Sequence, residues 1–246
     1  MAANEDASHR PWPLPAAPWV LRQSWNNLLF AHWPIDRARL QDLLPSHFDI
    51  DTFAGEAWVS VTPFHLTDLS PRGIPPLPWV SAFNEINVRT YVVYEGIPGV
   101  YFFSLDANSA LAVAGASSLF HLPYFLAEIR MDESEGRLSY DSRRSGTGNV
   151  AEFRARYRPA GAPFEAERGT LDYWLTERYC LYTCDSAGKT YRVEIHHQPW
   201  QLQAAEAEIS VNTMAAAAQI VLPATAPVIH FSRRLDVLTW LPQVCR

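Results

Sequence analysis

The chain has 246 residues, 48% of them hydrophobic, and carries 9 Trp, 10 Tyr and 12 Phe. That apolar mass is enough to build a core, which excludes disorder for the chain as a whole. Twenty Lys and Arg against 26 Asp and Glu leave a net charge of −6, so non-specific binding to a nucleic-acid backbone is not expected. Lys189 is the one lysine among the basic residues, so only one side chain is available as a Schiff-base amine.

The cysteines are Cys180, Cys184 and Cys245. An odd count makes a poor disulfide framework. Cys180 and Cys184 read as one strand, where four residues span ~13 Å, too far for a bridge. Reduced thiols imply a cytoplasmic protein. No run of ~18 apolar residues appears, so no membrane partner is expected. The N-terminus lacks the basic-then-apolar order of a signal peptide.

Residues 1–18 are polar and then rich in proline (Pro11, Pro13, Pro15, Pro18), which denies them ladder donors. They read as a flexible, extended arm, ordered where Trp12 and Leu14 find a groove. Residues 19–246 read as a single domain. Gln23–Trp33 is a predicted strand. Asp36 is a candidate N-cap for a short helix carrying Leu40, Leu43 and Leu44. Glu56–Leu66 alternates, with Ala57, Val59 and Val61 on one face and Trp58, Ser60 and Thr62 on the other. Phe83–Tyr94 and Gly99–Leu105 are aromatic and β-branched strands joined at Glu95-Gly-Ile-Pro-Gly99. Ser109–Phe120 is an alanine-rich helix with Ser109 as its cap. Strands follow at Tyr124–Met131, Arg137–Arg143 and Asn149–Arg158. Asp185-Ser-Ala-Gly188 reads as a hairpin loop between Tyr179–Cys184 and Thr190–His197. Met214–Gln219 is a predicted helical turn and Val228–Trp240 a closing strand. Short connections favour antiparallel pairing. The fold class is therefore α+β: one large, curved antiparallel sheet with a few short helices, able to close into a barrel.

Adjacent His196 and His197 point to opposite faces of a strand, so they cannot share an ion. Glu194 and His196 do share a face, but a metal site would need a third ligand such as His32, His65 or His230. The plainer reading is a histidine hydrogen-bonded under Trp200, and no metal or other cofactor is expected. Arg154, Arg156 and Arg158 form a basic stripe. In an acidic chain it reads as a solvated face paired with Glu152, Glu165 or Glu167 rather than as a nucleic-acid site. Gly146-Thr-Gly148 lacks the context of a dinucleotide loop and reads as a turn. Gly115-Ala-Ser-Ser118 is not a nucleophile elbow. Lys189 follows a hairpin glycine and is expected to be exposed.

The strongest polar cluster is Phe83-Asn-Glu-Ile-Asn-Val-Arg-Thr-Tyr91. Glu85, Asn87, Arg89 and Tyr91 share one parity, opposite to Ile86, Val88 and Thr90. Those groups either face solvent or line the interior of a closed sheet. Inside, the carboxylate and guanidinium would have to be paired, a set suited to a small carboxylate or carbonyl ligand.

That phrase, together with Trp25-Asn-Asn-Leu-Leu-Phe-Ala-His-Trp33, Gly99-Val-Tyr-Phe-Phe-Ser-Leu-Asp106, Leu175-Thr-Glu-Arg-Tyr-Cys-Leu-Tyr182 and Glu194-Ile-His-His-Gln-Pro-Trp200, resembles the YqjF-like family of bacterial proteins. The resemblance spans nearly all of residues 19–242. The family lies in the acetoacetate decarboxylase-like superfamily, which implies a single α+β domain whose antiparallel sheet closes into a cone-like barrel around a small-molecule pocket. The decarboxylases carry a Gly-Tyr-Pro-Lys-Lys phrase after a small-residue helix, and its first lysine forms the Schiff base. Here Pro123 matches the proline, while Tyr124 and Phe125 stand where the lysines should be. The resemblance thus implies the pocket without the Schiff base. It also matches Glu85 to the superfamily's pocket carboxylate and groups it with Arg89 and Tyr124.

Two functions are consistent with this. One is an enzyme acting on a small oxo-acid or enolisable carbonyl. There Glu85 is the general acid or base and Tyr124 donates to a developing oxyanion, while Arg89, Asn87, Glu194 and His196 bind substrate. The other is a non-catalytic ligand-binding or sensing protein with the same pocket. A homo-oligomer is compatible with either.

Overall fold

The computed structural model describes residues 6–77, 80–146 and 150–245. In chain order the elements are β1 (Leu21–Ile35), α1 (Arg37–Gln41), β2 (Asp49–Ile50), β3 (Ala57–Pro71), β4 (Phe83–Tyr94), β5 (Ile97–Ala107), α2 (Ala110–Phe120), β6 (Tyr124–Ser134), β7 (Arg137–Arg144), β8 (Glu152–Phe164), α3 (Leu171–Thr176), β9 (Cys180–Cys184), β10 (Thr190–His196), β11 (Leu202–Asn212), α4 (Met214–Ala217), β12 (Val228–Thr239) and β13 (Gln243–Val244). Local chemistry sets their ends. Asp36 accepts from the Arg39 amide to start α1, and Ser109 accepts from Ala112 to start α2. Glu95 and Gly96, at φ 49° and 79°, make a two-residue turn between β4 and β5. That turn is tighter than the four-residue connection expected.

All thirteen strands among the described residues belong to one sheet, and it closes twice. The smaller ring runs β1, β3, β4, β5, β9, β10, β12. The larger leaves β5 through β6, β7, β8 and β11 and rejoins at β12. The wall β1–β3–β4 is common to both. This confirms the α+β class and the closed antiparallel sheet, with one amendment. β5 pairs in parallel with both β6 and β9; α2 supplies the crossover to β6 that a parallel neighbour needs.

The shared wall is buried on both faces. Leu29, Ala31, Val59, Val61, Ile86 and Val88 pack into the larger ring against Tyr140, Phe153 and Tyr157. Phe30, Phe64, Leu66 and Phe83 face the smaller ring. This is why the Glu56–Leu66 alternation separates two buried faces rather than a wet one from a dry one. β11 and α3 have no counterpart in the sequence reading. The β11 segment Leu202-Gln-Ala-Ala-Glu-Ala-Glu-Ile alternates but is built from Ala and Glu, which disfavour strands. The arginine stripe of β8 is solvated, but its partners come from neighbouring strands: Arg154 pairs with Asp141 and Arg158 with Glu206. Glu165 and Glu167 are not those partners. Asn149, the expected start of that strand, and Thr147 and Gly148 of the expected turn lie outside the described residues. Among the described residues no helix is long and apolar enough to cross a membrane.

Gly99 sits where β5 meets β9. A Cβ there would stand 2.7 Å from Tyr182 Cε2 and 3.0 Å from the Cys180 carbonyl oxygen. Gly99→Ala must therefore push β9 off β5 at the seam of the smaller ring. Urea unfolding should show a loss of about 1–3 kcal/mol. An unchanged midpoint would contradict this packing.

Candidate functional site

The smaller ring holds a cavity of about 430 Å³, bordered at its mouth by α2 and by Pro75, Leu77, Val80 and Ser81 after β3. β4 supplies Glu85, Asn87 and Arg89 to it, and Tyr124 enters from the start of β6. The parity read from the sequence thus holds along β4, and of the two alternatives it is the interior one. Three irregularities aim the neighbouring strands. Asn27 at φ 52° and Asp68 at φ 57° are extra residues in the β1–β3 ladder, and β5 carries one between its partners of Val88 and Arg89. As a result Trp25 and Phe30, Leu66 and Leu69, and Leu105 and Phe102 all face the cavity despite their odd-and-even numbering.

Glu85 is 3% exposed. Tyr124 donates to its Oε2 at 2.9 Å, and Tyr140 donates to its backbone oxygen at 2.8 Å. Burial raises its pKa to about 7; Tyr124 and Asn87 pull it back, and nearby Asp106 raises it further. Asp106 is held by Arg144 through two bonds of 2.7 Å. Glu85 therefore changes charge near neutral pH. The Tyr124 hydroxyl is pushed well above its ordinary range by burial and by Glu85, so it stays protonated.

Arg89 is 8% exposed. Its guanidinium lies 5.2 Å from the Phe30 ring and 5.9 Å from the Tyr91 ring. Its Nε and Nη2 have no hydrogen-bond partner among the described residues. Burial pulls it below the ordinary guanidinium range, with Arg178 adding to the effect and Tyr91 opposing it. It remains a cation, since arginine does not deprotonate in proteins. Arg178 approaches from the chain before β9, 4.8 Å from the same Tyr91 ring. Its Nη1 binds Asp51 at 2.6 Å, while its Nη2 is unpartnered among the described residues. Two cations thus crowd one end of the cavity, and Glu85 with Tyr124 forms a separate polar group. Glu85 and Arg89 do not neutralise each other as expected, because each bonds or stacks within its own surroundings.

Glu194 and His196 were expected to bind substrate, and the structure places them elsewhere. β10 turns Val193, Ile195 and His197 to the cavity, so Glu194 and His196 face away, under the N-terminal arm. Arg10 Nη2 and Trp12 Nε1 donate to Glu194 Oε2 at 2.8 and 2.9 Å, and Arg192 pairs with its other oxygen at 3.0 Å. His196 stacks on His9, with ring centroids 5.6 Å apart. Arg10, passed over in the sequence, is thus the arm's buried anchor. His197 packs beside Trp200 and bonds backbone oxygens. His32 meets the Tyr91 hydroxyl, His65 meets Asn84 and His230 pairs with Asp172. No group of three metal-ligating residues occurs among the described residues. Lys189 is exposed on its hairpin and Phe125 is partly exposed under Arg144. Sequence reasoning missed Arg178 as a cavity residue; its signal was its place inside the Leu175–Tyr182 phrase.

The raised Glu85 pKa fixes the sign of a stability change. The unfolded chain ionises Glu85 near 4.5 and the folded protein near 7. Stability from the neutral acid is therefore complete below pH 4.5 and is lost as pH rises towards 7. Glu85→Gln should match the native protein at pH 4 and exceed it by up to about 3 kcal/mol at pH 8 in denaturant unfolding. A pH-independent difference would contradict the buried acid.

Comparison with known proteins agrees with this architecture. Residues 22–236 match the DUF2071 family, described as an uncharacterized conserved protein. The chain is 51% identical over 227 residues to the uncharacterized protein YqjF of Bacillus subtilis (strain 168), covering 92% of this chain and 93% of that one. Among solved structures, acetoacetate decarboxylase from Legionella pneumophila aligns with TM-score 0.65 at 16% identity, covering 99% of this chain and 94% of the other. The enduracididine biosynthesis enzyme MppR complexed with pyruvate aligns with TM-score 0.59 at 11% identity, covering 97% and 94%. At such identities these two likenesses speak for the fold alone. With a family match over most of its length and a close relative in YqjF, the chain belongs to the DUF2071 family of YqjF-like proteins, built on the acetoacetate decarboxylase-like fold.

Proposed function

We propose that the cavity binds a small oxo-acid or similar enolisable carboxylate, and that Glu85 moves a proton on it without covalent catalysis. The observation that carries this is Arg89: a buried cation with two N–H groups directed to no acceptor among the described residues. Leaving such donors unmet costs several kcal/mol unless an anion meets them. A carboxylate fits the planar fork, and Arg178 is a second cation lining the cavity. A structural neighbour, MppR, is complexed with pyruvate.

With the acid end held there, Glu85 as carboxylate takes a proton from the carbon beside the carbonyl. The C–H electron pair forms the enolate double bond, and the carbonyl pair moves onto oxygen, whose charge faces the two arginines. Return of the proton restores the oxo-acid. Tyr124 donates to Glu85 and so orients the base, instead of serving the oxyanion as the sequence reading has it. The motif resemblance sets this tyrosine at the lysine position of the decarboxylases, and Lys189 lies on an exposed hairpin, so the reading uses no Schiff base. A second reading, binding or sensing without turnover, is favoured by the same Tyr124 bond, which already occupies one oxygen of Glu85.

Arg89→Ala should weaken calorimetric binding of 2-oxobutyrate by about 1.5–3 kcal/mol, the range for a charge-assisted hydrogen bond. Equal affinity in the two proteins would remove the anion site. Exchange of the C3 protons of 2-oxobutyrate in deuterated water, followed by NMR, separates the two readings. Enzyme-dependent exchange should rise with pH through about 7, as Glu85 ionises, and vanish in Glu85→Gln. Binding without exchange at any pH would leave the sensing reading.

A further inference from the structure

We propose that the ligand of this cavity is amphiphilic: a monocarboxylic acid with a flexible apolar tail of several carbons, its head at Arg89 and its tail leaving past α2. The proposal rests on the anion-binding reading of Arg89 and adds the shape of the molecule. Three observations carry it. The first is size. A cavity of about 430 Å³ has room for about 14 groups of water's ~30 Å³ share. Pyruvate would fill less than half of it and leave the rest wetted against hydrocarbon.

The second is the order of the lining. Arg89 and Arg178 both line the cavity and both stand beside the Tyr91 ring. Away from them the walls are Leu28, Phe64, Leu66, Phe83 and Leu105, with Ala112 of α2 above. Glu85 and Tyr124 satisfy each other on that wall. Polar side chains such as Thr62, Asn87 and Thr176 also line the cavity but are outnumbered by apolar ones, so a ligand polar along its whole length would lie mostly against hydrocarbon.

The third is the rim. Leu77, Leu111 and Leu119 line the cavity yet are 55%, 68% and 52% exposed. Three exposed leucines around one opening are costly to solvate. An apolar tail passing between α2 and the loop after β3 would cover them. Gly115 and Ala116 on the cavity side of α2 leave that passage open, where larger side chains would fill it.

The test is a chain-length series measured by calorimetry on the full chain: pyruvate, 2-oxobutyrate, 2-oxohexanoate and 2-oxooctanoate, with octanoate and 1-octanol as controls. Affinity should rise about fourfold for each added methylene, the factor set by ~0.8 kcal/mol per buried CH₂. Octanoate should bind and octanol should bind at least tenfold more weakly, because only the acid reaches Arg89. Leu119→Asp, a change at an exposed position that folding tolerates, should flatten the chain-length gain. Pyruvate binding as tightly as 2-oxooctanoate would overturn the tail. That result differs from failure of the anion site, in which octanol would match octanoate and Arg89→Ala would change nothing. Octanol matching octanoate would overturn the amphiphile too.

Discussion

A strand buried on both faces has no solvent to hydrate a charge placed on it. The wall β1–β3–β4 is close to that position, with a packed core on one side and a narrow chamber on the other. Any ionisable group on the chamber side must be neutralised, paired or left for a ligand. Glu85 takes the first course, its carboxyl held neutral below pH about 7 by burial. Arg89 cannot, because a guanidinium keeps its proton. Phe30 and Tyr91 lie beside it and the Tyr91 hydroxyl bonds it, yet Nε and Nη2 keep no partner among the described residues. The chemistry of the chamber follows from that asymmetry between an acid that can discharge and a base that cannot.

The chamber is shaped by departures from regular strand geometry. A strand with strict alternation presents every second residue to one side. The extra residues at Asn27 and Asp68 and in β5 each change which parity faces inwards. They bend the wall and bring Trp25 and Phe30, on either side of Asn27, onto the same chamber. Asn27 is held by Arg233 and by Tyr157, so the irregularity is tied to the larger ring. The two rings are therefore mechanically joined at the wall, and a change in one alters the aim of side chains in the other.

These same departures mark how far the sequence was legible. β4 could be placed from Phe83 to Tyr94, and its inward set named, because that strand keeps its alternation unbroken and ends at a two-residue turn. Trp25 and Phe30 could not be assigned to one face, because nothing in Trp25-Asn-Asn-Leu-Leu-Phe marks Asn27 as left-handed before the ladder is known. Glu194 and His196 share a face, as alternation requires. Which face is inside depends on the pairing of β10 with β12 and on Arg10, which reaches them across 184 positions of sequence. Arg178 lies just outside a strand, where periodicity carries no information, and only tertiary closure brings it to Tyr91. β11 was hidden for another reason: alanine and glutamate carry helix propensity, and pairing with β8 and β12 overrides it.

The central claim is that Arg89 is the carboxylate seat of a mainly apolar chamber. A crystal structure of the protein grown with 2-oxooctanoate tests it most directly. The account predicts density for the carboxylate bonded to the Arg89 guanidinium, which lines the cavity, with the chain running along Phe64 and Leu105 towards Leu119. A bound acid whose carboxylate lies elsewhere, with Arg89 still unpartnered, would contradict it.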